Sequence, residues 1–216
     1  MSLKLIVADI LLKRTLFILL LVIAVSSYSQ QNEDALELYR NGDFERAVEV
    51  TVYELSQEPR NMDSYVVLGW SLIGLGRYKE ALEYASRGLK IAEYDHRLIE
   101  IEGEALFYEG ELEGALERFE RYVALAPEGG RIEKVYYFMG EIYIRIKEYN
   151  NADIAFSTAL YFLPDSKTWW ARLGYARELG GNNKLALVAY QKAINLDRSF
   201  VDAARGIERV EKLINY

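Results

Sequence analysis

The sequence predicts an all-α protein, five tandem helix-turn-helix repeats stacked into a solenoid and closed at the C-terminal end by one more helix. Three observations carry that prediction. Alanines in matching contexts recur at Ala47, Ala81, Ala115, Ala152 and Ala186, spaced 34, 34, 37 and 34 residues apart. A second column, Gly69, Gly103, Gly140 and Gly174 with Ala35 in first place, keeps the same register. A third, Gly42, Gly76, Gly110 and Gly181 with Lys147 as the departure, falls between the other two. A period of this length belongs to a unit that cannot bury its own apolar face and must stack on its neighbours.

The chain opens with an address. Residues 15–25 read TLFILLLVIAV, with Lys13 and Arg14 before them and Ser27-Tyr28-Ser29 after. A positive flank, a short apolar core and a small-residue site predict a signal peptide over 1–29, cleaved after Ser29. The alternative is an uncleaved N-terminal anchor, although the run falls short of the ~20 apolar residues that span a bilayer. Its removal leaves a net charge of −9.

Five repeats follow over 30–200, at 30–61, 62–95, 96–129, 133–166 and 167–200. In four of the five, a turn glycine ends the first helix in the left-handed conformation that glycine adopts without penalty. Aromatics follow the turn at Phe44, Tyr78 and Tyr149, with Asn183 departing. The mid-helix glycines cost about 1 kcal/mol each against alanine. That cost is expected to permit close approach of the second helix, which faces them with its small alanine column. One turn later come the large residues Phe119, Phe156 and Tyr190, where the first two repeats carry Thr51 and Ala85. Pro59, Pro127 and Pro164 stop second helices. The extra residues 130–132 lengthen the loop after repeat three, in Glu128-Gly129-Gly130-Arg131. Such a loop lengthens cheaply; taken further, it is a hinge between 30–129 and 133–216. Residues 201–216 form the closing helix, with Asp202, Arg205, Glu208, Arg209, Glu211 and Lys212 as a solvated side.

This arrangement resembles the tetratricopeptide repeat (TPR) family over about residues 28–200. The fourth repeat carries Gly140-x2-Tyr143 and Ala152-x3-Phe156-x2-Ala159-x4-Pro164, and the fifth opens with Trp170-x2-Leu173-Gly174. The resemblance implies a right-handed superhelix whose first helices line a concave groove.

Composition excludes several functions. The chain has no cysteine and one histidine, His96, so thiolate sites, disulfides and an imidazole pair for zinc are all absent. A net charge of −7 argues against a nucleic-acid partner. A signal peptide without cysteines fits a periplasmic or secreted protein, or one anchored and facing the periplasm; contact with a membrane is then expected only through an uncleaved N-terminal segment. Glu100, Glu102 and Glu104 are the one cluster of acids with catalytic spacing, and they are expected to form a solvated face, because no base, nucleophile or phosphate loop accompanies them. His96, beside Asp95, reads as a surface residue at a helix start. No cofactor and no enzymatic activity are expected.

The groove implied by the resemblance is where binding is expected. Its candidates are Tyr39 and Arg40, then Trp70 with Asp63, Val66, Val67 and Ile73, then Arg97, Glu100, Glu104, Phe107 and Tyr108. Lys134, Tyr137, Phe138, Glu141 and Arg145 continue it, and Arg172 and Tyr175 end it. Glu141 and Arg145 are four apart and expected to pair. Aromatics and arginines are the side chains most enriched at interface hot spots. The expected function is a non-catalytic scaffold of the cell envelope that binds a protein or peptide. The alternative is a small apolar ligand-binding or transport-accessory protein.

Overall fold

A computed structural model describes residues 33–214; the segment 1–29 lies outside them. The described residues form eleven helices and no strand. These are α1 (Ala35–Asn41), α2 (Phe44–Gln57), α3 (Met62–Gly74), α4 (Tyr78–Leu89), α5 (His96–Glu109) and α6 (Leu112–Leu125). They continue with α7 (Ile132–Arg145), α8 (Tyr149–Phe162), α9 (Lys167–Leu179), α10 (Asn183–Leu196) and α11 (Val201–Ile214). Each helix packs on the next, and α1, α3, α5 and α7 also pack in series. The architecture is an all-α solenoid of stacked helix pairs, with the odd-numbered helices as the shared inner layer.

Local chemistry sets the boundaries. Asp34, Asn61, Asp95 and Ser166 precede α1, α3, α5 and α9, and the side chain of each accepts a hydrogen bond from a first-turn N–H. The turns at Gly42, Gly76, Gly110 and Gly181 have φ of +83°, +71°, +88° and +78°. Lys147 adopts the same conformation with φ +65°, so the departure from glycine changes the residue and not the turn.

The glycine column has a different reason from the one expected. A Cβ on Gly103 would lie 2.6 Å from the Phe119 ring, one on Gly140 2.8 Å from Phe156, and one on Gly174 2.8 Å from Tyr190. The glycines therefore make room for the large residue of the second helix rather than for its alanine. Where that residue is Ala85, Ile101 of the next repeat fills the space over Gly69 instead, 2.9 Å from a would-be Cβ. In the first repeat, where Ala35 takes the glycine's place in the column, the second helix carries the smaller Thr51, whose hydroxyl bonds the Ala47 carbonyl at 2.7 Å.

The closing helix α11 buries Ala203, Gly206 and Val210 and turns Asp202, Arg205 and Glu208 outward. Arg209 does more than solvate. It forms a two-pronged pair with Glu178 at 2.7 and 2.8 Å.

Candidate functional site

Side chains from successive odd-numbered helices converge on one trough of about 400 Å³. Tyr39 of α1, Trp70 and Ile73 of α3, Glu104 and Tyr108 of α5, Lys134, Tyr137 and Phe138 of α7 and Trp169 of α9 line it, joined by Phe44 and Arg131. Aromatic pairs bridge adjacent repeats along this surface. Tyr39 stacks on Trp70 with centroids 5.6 Å apart, and Tyr137 stacks on Trp169 at 5.1 Å. Tyr108 stacks on Tyr78 of α4 at 4.6 Å. Such contacts contribute about 0.5–1.5 kcal/mol each beyond the area they bury, so the walls are preformed rather than assembled by a ligand.

The floor is ionic. Arg131 Nε donates to Glu100 Oε1 at 2.8 Å, and its Nη2 donates to Glu104 Oε1 at 2.7 Å. Trp70 Nε1 donates to the other Glu100 oxygen at 3.0 Å, and the Arg131 guanidinium lies 5.2 Å from the Trp70 ring centroid. Glu100 is 0% exposed and Glu104 4%. Burial, and then the charge of Glu100 beside it, push the Glu104 carboxyl up to about 8. One guanidinium thus serves two buried carboxyls, and Glu104 holds its proton at neutral pH.

This corrects the expectation of a solvated acidic face at Glu100, Glu102 and Glu104. Helix α5 is packed on all sides, with Leu98, Ile99, Ile101 and Ala105 each 0% exposed. Glu102, on the opposite side from Glu100 and Glu104, bonds Ser86 at 2.5 Å and Arg118 at 2.8 Å. The compensating cations lie far along the chain, Arg118 on α6 and Arg131 in the loop before α7, so the helix pattern alone did not reveal them. His96 opens α5 half-buried, with its ring edge-on to Tyr122.

Arg131 is the functional-site residue that sequence reasoning missed. It belongs to the inserted loop, outside every repeat column. It also occupies the cap position of α7, where its side chain makes no cap hydrogen bond. The helix start gives up a cap, and the side chain crosses to α5 instead. The Arg131 N–H further donates to the Tyr122 hydroxyl at 3.3 Å. The loop is thereby tied back to repeat three, which opposes the hinge reading. Trp169 was also missed. The motif drew attention to Trp170, whose Nε1 donates to the Pro164 carbonyl at 2.7 Å, while its neighbour faces the trough.

The remaining candidates do not form one continuous groove. Glu141 pairs with Arg172, at 2.5 and 2.7 Å, and not with Arg145 as expected. The cause is geometric. Both Glu141 oxygens are taken by a fork-shaped guanidinium from the next first helix, which bonds a carboxylate at two points. Arg145 instead lies 4.2 Å over the Phe107 ring, and Phe107 is buried. Tyr137, beside Glu141, has its hydroxyl pushed up to about 12 by burial and by that carboxylate's charge. Arg97 is held by Asp95 and Asp63, both at 2.7 Å. Val66 and Val67 are buried. Arg40 is exposed in the last turn of α1 and does not line the trough. Arg172 and Tyr175 line a second hollow of about 360 Å³ against α11. Among the described residues no group of three His, Cys, Asp or Glu could hold a metal ion, and no helix is long and apolar enough to cross a membrane.

Comparison with known proteins follows the same lines. Tetratricopeptide-repeat family models match residues 33–96 and 133–165. Among solved structures, the chain is similar to MamA from Desulfovibrio magneticus RS-1, at 22% identity and TM-score 0.66, over 77% of this chain and 92% of that one. It is similar to YrrB, described as a TPR protein with an unusual peptide-binding site, at 19% identity and TM-score 0.64, over 81% and 88% of the two chains. It also overlays the hetero-tetramer Cut9-Hcn1 of the APC/C at 17% identity and TM-score 0.74, covering 82% of this chain and 35% of that one. At these identities the likeness shows the fold alone. No curated protein matches the sequence.

Proposed function

The chain is a tetratricopeptide-repeat protein, and from that premise we propose that it is a non-catalytic scaffold whose inner trough binds a segment of a partner protein. The observation that carries this is the trough itself. Half-buried aromatics from successive repeats line one surface, already stacked in pairs, around a floor whose charges are satisfied internally. A surface ordered before binding loses little entropy when a partner is seated. YrrB, of similar fold, is described as having a peptide-binding site, which supports the same use here. A location in the cell envelope belongs to the proposal too, and rests on the pattern of residues 1–29.

The test is affinity capture from an extract of the source cells, comparing the wild-type chain with Tyr108→Ala/Trp169→Ala. These two side chains line the trough and make no hydrogen bond to its ionic floor. Trp70, which bonds Glu100, would confound binding with stability. Loss of about 30-fold or more in partner retention is expected, the equivalent of one hot spot of about 2 kcal/mol. Unchanged retention would refute the trough as the binding surface. The small-ligand alternative draws on a volume of about 400 Å³, within the range of ligand pockets. A charged floor and Lys134 at the rim suit a peptide better than a wholly apolar molecule. A ligand retained in native mass spectrometry would favour the alternative.

A further inference from the structure

The charge of the partner can be read from which charges on the inner surface are already spent; this rests on the trough reading above. Glu100 and Glu104 are buried and share Arg131, and Glu141 is buried and held by Arg172. Asp63, the exposed acid on this side, is bonded to Arg97. The acid that lines the trough, Glu104, is already paired, and Glu133 in the first turn of α7 does not line it. The cations differ. Lys134 lines the trough and is exposed, with no carboxylate among the described residues within 4.0 Å. Arg145 is exposed beside Tyr108, its guanidinium on the Phe107 ring and likewise without a carboxylate. The uncommitted charge here is positive, in a chain whose net charge is −7.

We propose that the trough accepts an acidic segment of a partner protein, its apolar side chains against Trp70, Tyr108 and Tyr137 and its carboxylates met by Lys134 and Arg145. A local reversal of sign on an acidic protein steers acidic segments to this surface and repels basic ones. Nucleic acid shares the negative charge and the capacity to stack. It carries one phosphate per nucleotide, against two free cations and an acidic surround, so the protein segment is favoured.

Three labelled peptides of equal length test this. All carry Phe and Leu at the same positions, with Glu, Gln or Lys at the remaining ones, and each is titrated with the protein by fluorescence anisotropy. The Glu peptide is expected to bind about tenfold more tightly than the Gln peptide, with the Lys peptide weakest. Added salt should erase the order, and Lys134→Glu/Arg145→Glu, verified as folded by circular dichroism, should invert it. Equal affinities, or a preference for the Lys peptide in the wild type, would overturn the charge assignment and leave the trough reading standing. Binding of none of the three overturns the proposal, while the trough reading is decided separately by the capture assay with Tyr108→Ala/Trp169→Ala. An oligothymidylate that displaces the Glu peptide and binds more tightly would also overturn it.

Discussion

Replacing Glu104 with Gln isolates the proton held in the trough floor. The amide matches the protonated carboxyl in shape, its oxygen can accept from Arg131, and its NH2 can donate toward Glu100. An ordinary glutamate releases its proton near 4.5, whereas Glu104 does so at about 8. The folded state therefore binds a proton across that window that the unfolded chain has lost. This contribution is fully present below pH 4.5 and disappears as pH rises through 8. Between pH 7 and pH 9 the folded state goes from mostly protonated to mostly ionised, and the integral across that interval is one pH unit, about 1.4 kcal/mol. For a chain of this size that is a fall of roughly 3–6 °C in Tm. Glu104→Gln has no such proton to lose. Thermal melts of both proteins at pH 7, 8 and 9 should show the wild type losing that amount of Tm relative to the variant between pH 7 and pH 9. Differences between the two cancel any other group that titrates in this range. Parallel decline of wild type and variant would refute the account of the floor.

Arg131→Met leaves two buried carboxyls without their guanidinium, and urea denaturation at pH 7 should show a loss of about 3–5 kcal/mol, much of it regained at pH 4. Lys147→Gly relieves a left-handed lysine and should stabilise the chain by about 1 kcal/mol in the same assay. Gly140→Ala forces a Cβ to within 2.8 Å of Phe156 and should cost about 1–3 kcal/mol. Combining it with Phe156→Leu should cost less than the two single changes added together, because they compete for one space.

What could be read in advance was whatever one repeat repeats. The turn glycines, the alanine column and the ends of the helices are local requirements met by single residues, so they recur at a fixed interval and stand out as columns. Even Lys147 was placed correctly, because the turn around it leaves no alternative. Contacts across repeats were far less accessible. Glu100 and Glu104 looked like a wetted face because their counterion is 27 to 31 residues away, on a loop that breaks the period. Glu141 chose Arg172 over Arg145 for the same reason: a two-pronged partner on the neighbouring helix outcompetes a single contact one turn along. Trp169 was hidden by the motif value of Trp170. The glycine column was placed correctly but misread in cause. Spacing reports that a position must be small, whereas coordinates report what presses on it, here Phe119, Phe156 and Tyr190.

The central claim is that partner proteins meet the inner trough. Site-specific photo-crosslinking in the source cells tests it most directly, with a photoreactive phenylalanine placed at Tyr108, which lines the trough, or at Tyr161, which is 82% exposed on α8 away from it. The account predicts a discrete protein adduct from position 108 and none of that mass from position 161. An adduct from position 161 with position 108 silent would contradict it.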